Sequence, residues 1–185
     1  VGPHILPGVR AFVAVEIPPS PEGSGPKRAP EHLTLLFLGE TPTDRVVAIV
    51  ESLGPVGATT APFDLSLEGV GAFPSAERPR VVWVGVTRGR EAVTRLAASV
   101  REALHSEGEP GRRDAFVPHL TLFRVRSPAD HRRAAEVLSG ATPPPEPRHH
   151  RVREFVLKES VLSSHGATHR TVATFPLAGG IPDAA

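Results

Sequence analysis

The sequence predicts an α+β fold built from two unequal copies of one unit. Three observations lead there. The tetrapeptide His-Leu-Thr-Leu stands at 32–35 and again at 119–122, 87 positions later in a chain of 185. Each copy follows a run rich in Val, Phe, Ile or Trp, residues that fit the pleated, half-buried surface of a strand. Each copy is followed by a helical segment and then by another strand-like run.

The elements follow in chain order. Residues 10–17, Arg-Ala-Phe-Val-Ala-Val-Glu-Ile, read as the first strand, and the first motif as the second. Thr43 is expected to cap a helix whose apolar stripe is Val46, Val47, Ile49, Val50 and Leu53. Strands are expected over 63–70 and 80–86. Between the second of these and the second motif, Val93, Leu96, Ala97, Val100, Ala103 and Leu104 recur at helical spacing and predict a helix over 91–105. The first copy has no counterpart, because residues 18–30 carry five prolines and two glycines and read as a loop. After the second motif, Ser127, Pro128 and Asp130 form a helix start signal. Residues 108–114 read as a loop, 141–150 as an extended connector, and 153–162 and 171–177 as the last strands. The whole chain, 1–185, reads as a single domain with two internal lobes, residues 1–8 and 179–185 being peripheral.

Bulk properties narrow the function classes. Hydrophobic residues make up 39% and charged residues 22%, values of a globular protein. No apolar run approaches the roughly 18 residues of a membrane span, and no signal peptide is read in the first residues, so cytoplasm is the expected compartment. With no cysteine, disulfides, thiolate chemistry and Cys-ligated zinc are excluded. A net charge of +1 excludes a broadly basic nucleic-acid coat. Lys27 and Lys158 are the only lysines among 21 basic residues, so any phosphate argument rests on particular arginines.

In a strand, residues i and i+2 share a face. His32 and Thr34 therefore point one way while Leu33 and Leu35 enter the core, and His119 and Thr121 do the same against Leu120 and Leu122. Two such strands can place two imidazoles and two hydroxyls around one small ligand. Imidazole, with an unperturbed pKa of about 6.5, serves as acid or base near neutrality. Opening a phosphodiester needs both: a base for water and an acid for the departing oxygen. Threonine hydroxyls can donate to the non-bridging oxygens, where charge grows. No metal is expected, since no carboxylate or third histidine stands at ligand spacing, and no cofactor either. The remaining histidines, at 4, 105, 131, 149, 150, 165 and 169, read as loop or surface residues.

On these residues the chain resembles the two-histidine (2H) phosphoesterases, specifically the RNA 2′,3′-cyclic phosphodiesterases also called 2′-5′ RNA ligases. The matching pieces are residues 10–15, 32–39, 71–74, 79–86, 118–124 and 155–160, which together span nearly the whole chain. The resemblance implies two pseudo-symmetric lobes, each an antiparallel sheet with helices, around a central cleft. It implies hydrolysis of the cyclic phosphate on RNA ends or nucleotides to a 2′-phosphomonoester, with 2′-5′ ligation as the reverse. His32 would protonate the leaving 3′ oxygen and His119 would activate water. Thr34 and Thr121 would hold phosphate oxygens, joined by Arg124, which matches the family's arginine after the second motif. By strand parity Arg124 faces away from His119 and reaches the cleft only past a bulge or strand end.

The departures from the family pattern are the loop at 18–30 in place of a helix, Leu36 where a Lys often follows the first motif, and His169 where a Tyr often occurs. The loop is expected at the cleft rim, with Lys27 and Arg28 toward upstream phosphates. A monomer is expected. Two rival readings stand beside this one: an RNA-end or nucleotide binder with little turnover, and a 2H enzyme for 2′-5′ oligonucleotides or small cyclic nucleotides.

Overall fold

In the computed structural model, residues 8–18, 31–105, 116–142, 147–163 and 166–180 are described. Eleven elements follow one another among them: β1 (Val9–Ile17), β2 (Glu31–Thr41), α1 (Thr43–Thr59), β3 (Phe63–Phe73), β4 (Val81–Val86), α2 (Arg90–His105), β5 (His119–Arg124), α3 (Pro128–Leu138), β6 (Arg148–Val152), β7 (Glu154–Ser163) and β8 (Gly166–Pro176). They form two four-stranded antiparallel sheets, ordered β2-β1-β7-β8 and β5-β4-β3-β6. The expected α+β architecture of two lobes is present. The loop with Lys27 and Arg28, and the loop at 108–114, lie outside the described residues.

The two sequence copies do not coincide with the two sheets. In each copy the motif strand pairs with the strand before it: β2 with β1, and β5 with β4. The strand after the first copy's helix, β3, crosses into the second sheet to flank β4, and β7 returns to flank β1. The copies have exchanged strands. A motif strand therefore lies at one edge of each sheet, and β2 and β5 run beside each other.

β1 is buried on both faces, which explains its unbroken apolar run. Ala11, Val13, Val15 and Ile17 enter a core shared with both helices α1 and α2 and the back of the second sheet. Phe12 and Ala14 face the other way and pack on Val156 of β7. Leu33 and Leu120, fully buried, anchor the motif strands in the same core. Each such side chain contributes about 1.5–3 kcal/mol by leaving water.

Some local readings change. Pro42, not Thr43, is the N-cap of α1, and no side chain caps it; Thr43 is the first helical residue. Val47 is 62% exposed. The buried stripe runs Ile49, Leu53 and Val56, with Val46 and Val50 packed at its margin, and Val47 falls outside that arc. The last strand begins at Gly166 rather than 171, and part of the supposed connector is strand β6. The start signal of α3 forms the expected capping box: Ser127 Oγ accepts from the Asp130 N–H at 3.2 Å, and Asp130 Oδ2 accepts from the Ser127 N–H at 2.9 Å.

Gly89, at φ +78°, turns the chain into α2, and a Cβ there would lie 2.2 Å from the Asp64 carbonyl oxygen. Gly71 serves the site more directly. A Cβ on it would sit 2.3 Å from the Trp83 ring. The bare glycine backbone lets that indole lie flat across the sheet beside β5.

Candidate active site

β2 and β5 bring His32, Thr34, His119 and Thr121 to one cleft of about 840 Å³ between the two sheets. The leucines between them, Leu33 and Leu120, are turned into the core, as strand parity requires. Arg124 also lines this cleft. The register of β4 against β5 jumps from Trp83↔Thr121 to Val82↔Phe123, leaving Leu122 as a bulge. That extra residue reverses the parity and brings Arg124 round to the motif side.

The two histidines sit in unlike surroundings. The His119 Nδ1–H donates to the Val117 carbonyl at 2.7 Å. A carbonyl only accepts, so the proton is on Nδ1 and the neutral ring keeps an Nε2 lone pair. Phe73 meets the His119 ring edge-on at 4.9 Å, and Trp83 lies 6.1 Å away.

His32 packs against Phe12 and His169, each with its ring centroid 4.9 Å away, and those two rings touch each other at 5.1 Å. Beneath them Lys158 is 4% exposed, ion-paired to Glu16, with its ammonium donating to Thr171 Oγ1 at 3.2 Å. Burial, then the neighbouring His169 and Lys158, pushes the His32 pKa down to about 4, while Glu16 and Glu31 oppose the shift. His169 is itself lowered, by burial and by Lys158. Glu31, next to His32 in the chain, pairs with Arg148 of β6, and Arg148 also donates to the Pro18 carbonyl at 2.6 Å. That pair ties the start of the first motif strand to the other sheet.

The pKa of His32 carries a stability consequence. Unfolded, its imidazole titrates at the ordinary 6.5; folded, at about 4. Between these values the unfolded chain holds more protons, so folding stability falls as pH drops from 6.5 through 4. Urea unfolding at pH 7 and pH 4.5 is expected to show a smaller loss for His32→Asn than for the parent. An equal loss in both would remove His32 as a source.

Sequence reasoning misplaced or missed several residues. His169 is exposed, as expected of a surface residue, but it lies in a strand: β8 starts early enough to carry its ring against that of His32. His149 and His150 lie in β6, where His149 Nδ1 and Ser66 Oγ are 2.8 Å apart. His105 and His131 are exposed on α2 and α3, as expected. His4 and His165 lie outside the described residues. Arg78, Arg80 and Arg101 line the cleft and were not singled out. Arg101 left a signal: it stands four residues after Ala97 and three before Leu104, a charge inside the apolar stripe of α2. No group of three potential metal ligands occurs among the described residues.

The sequence signature of the 2′-5′ RNA ligase superfamily matches residues 8–160. This chain belongs to that superfamily. A superfamily relative from Archaeoglobus fulgidus, named RNA 2′,3′-cyclic phosphodiesterase, is 40% identical over 144 residues, 78% of each chain. One of the same name from Aquifex aeolicus is 32% identical over 157 residues, covering 80% of this chain and 78% of its own. Among solved structures, E. coli LigT complexed with 3′-AMP is similar with a TM-score of 0.69 at 26% identity, over 92% of this chain and 98% of LigT. Of the two expected departures from the family pattern that fall among described residues, Leu36 lines the cleft, and His169, outside the lining, abuts His32.

Proposed function

We propose that this chain hydrolyses 2′,3′-cyclic phosphate ends of RNA to 2′-phosphomonoesters, without a metal, and that 2′-5′ ligation is the reverse of the same chemistry. The observation that carries this reading is the convergence of both His-x-Thr pairs, from edge strands of two different sheets, on one cleft. The relatives' shared name supports it.

Water attacks phosphorus as the bond from phosphorus to the 3′ oxygen breaks. The Nε2 lone pair of His119 takes the water proton, its tautomer held by the Val117 carbonyl. His32 gives a proton to the 3′ oxygen. With its pKa near 4, His32 is neutral at pH 7 before substrate binds, so that proton arrives with the substrate: a phosphate anion beside the ring favours imidazolium. Thr34, Thr121 and Arg124 bind the non-bridging oxygens, where charge builds toward the transition state. In this reading the working form is a cytoplasmic monomer, since one chain supplies both histidines. No helix among the described residues is long and apolar enough to cross a membrane.

The test is product analysis on RNA with a 2′,3′-cyclic end, in EDTA. A single product with a 2′-phosphate is expected. A 3′-phosphate would reverse the leaving group, loss of turnover with chelator would favour a metallohydrolase, and binding without turnover would favour the RNA-end binder.

Thr34→Val and Thr121→Val keep the shape of the side chain and remove the donor. Each is expected to lower kcat by about ten- to a hundredfold and to change KM much less. The measurement is steady-state kinetics; a rise in KM at constant kcat would make the threonines simple binding contacts.

A further inference from the structure

The described lining of the cleft contains four formal charges, all guanidinium groups: Arg78 and Arg80 between β3 and β4, Arg101 on α2, and Arg124 at the end of β5. No carboxylate stands among the described lining residues. None of the four has an ion-pair partner among the described residues, whereas Arg10, Arg88, Arg148, Arg151 and Arg170 each hold a carboxylate. The part of the lining that β2 supplies, His32 and Thr34 with Leu35, Leu36 and Phe37, contains no arginine, lysine or carboxylate.

Arg101 is the most telling. It reaches the cleft from α2, and its Nε is buried with no hydrogen-bond partner among the described residues. A buried unmatched donor on a charged group costs stability, and an anion from outside would satisfy it. Four like charges around one cleft repel each other and add to that cost. One cyclic phosphate carries a single negative charge, and Arg124 with the paired histidines and threonines already meets it. Three guanidinium groups remain.

We propose that Arg78, Arg80 and Arg101 form a track for the phosphodiester backbone upstream of the cyclic end, so that the substrate is a single-stranded RNA 3′ terminus rather than a mononucleotide. The inference rests on the cyclic-phosphodiesterase reading above. The cyclic phosphate lies between the histidines, and the chain leaves the cleft past these arginines. Guanidinium forks pair bidentately with phosphate oxygens and read no base, so the track is indifferent to sequence.

The experiment compares 2′,3′-cyclic AMP with a five-nucleotide oligoadenylate ending in the same cyclic phosphate. The oligonucleotide is expected to exceed the mononucleotide in kcat/KM by at least tenfold. In Arg78→Gln/Arg80→Gln/Arg101→Gln that ratio should collapse toward one. The parent protein supplies a second readout that needs no variant. Single-stranded contacts release about 0.7 counterion each, so with three contacts log kcat/KM against log salt should be steeper for the oligonucleotide by about 2. Equal kcat/KM and equal salt slopes for both substrates would overturn the track and leave the cyclic-phosphodiesterase reading intact. Turnover of neither substrate would remove that reading and the track with it. A variant that lost both substrates in equal proportion would place the arginines in the structure of the lobe, not in a track.

Discussion

His32→Ala and His119→Ala are each expected to slow opening of the cyclic phosphate by at least about a hundredfold. In the proposed mechanism two proton transfers flank one phosphorus, and each imidazole is held on a strand whose neighbouring leucine is fully buried. Removing either ring leaves one transfer to water. The double variant is expected to be little worse than the poorer single, because the residues act as a unit. Both variants should fold, since the imidazoles face the cleft and the leucines keep the core. Single-turnover kinetics with a cyclic-ended RNA measures the effect. Near-parental turnover in either single variant would remove the paired mechanism.

Glu16→Gln is expected to damage stability and chemistry together. Lys158 has its ammonium buried between β1 and β8, and Glu16 is its counterion. A buried cation stripped of its partner costs about 3 kcal/mol, somewhat less where water reaches the site. The same change removes one of the groups holding the His32 pKa up and leaves Lys158 pressing it down. His32 then recruits its proton less readily, so kcat at neutral pH should fall and its optimum should move to lower pH. Lys158→Met acts in the opposite direction: the His32 pKa rises, and Glu16, partly open to water, remains hydrated. Urea unfolding and a pH–rate profile of both variants check this. A Glu16→Gln protein with parental stability and an unmoved profile would exclude the ion pair from both roles.

The motif strands were legible because a period of two, written as His-Leu-Thr-Leu, assigns faces without reference to the rest of the fold. The Arg124 problem was legible as well: parity named the obstacle, and the bulge at Leu122 resolves it. β6 was not legible. Its sequence, Arg-His-His-Arg-Val, is that of a sheet edge facing water, and it follows a run of prolines. The surroundings of His32 were hidden for a different reason. Phe12, Glu16, Lys158 and His169 come from three strands whose register is set by pairing between distant segments. The exchange of strands between copies was invisible too, since each copy shows the same local order whichever sheet its last strand joins.

That exchange sets a schedule for synthesis. The second sheet draws all its strands from Phe63 to Val152, but the first needs β7 beside β1, with Arg10 against Ser160, and β8 beside β7. At about 5–20 residues per second, on the order of ten seconds separates the appearance of these partners on the ribosome. Pairings so far apart in the chain form slowly even afterwards. The second sheet can close around Leu65, Val84 and Leu120 while β1 still shows Phe12 and Ala14 to water. Lys158 and His169 arrive last. A nascent chain thus holds His119 in its finished setting well before His32 acquires its own, and the proposed acid and base come together only as its final strands are laid down.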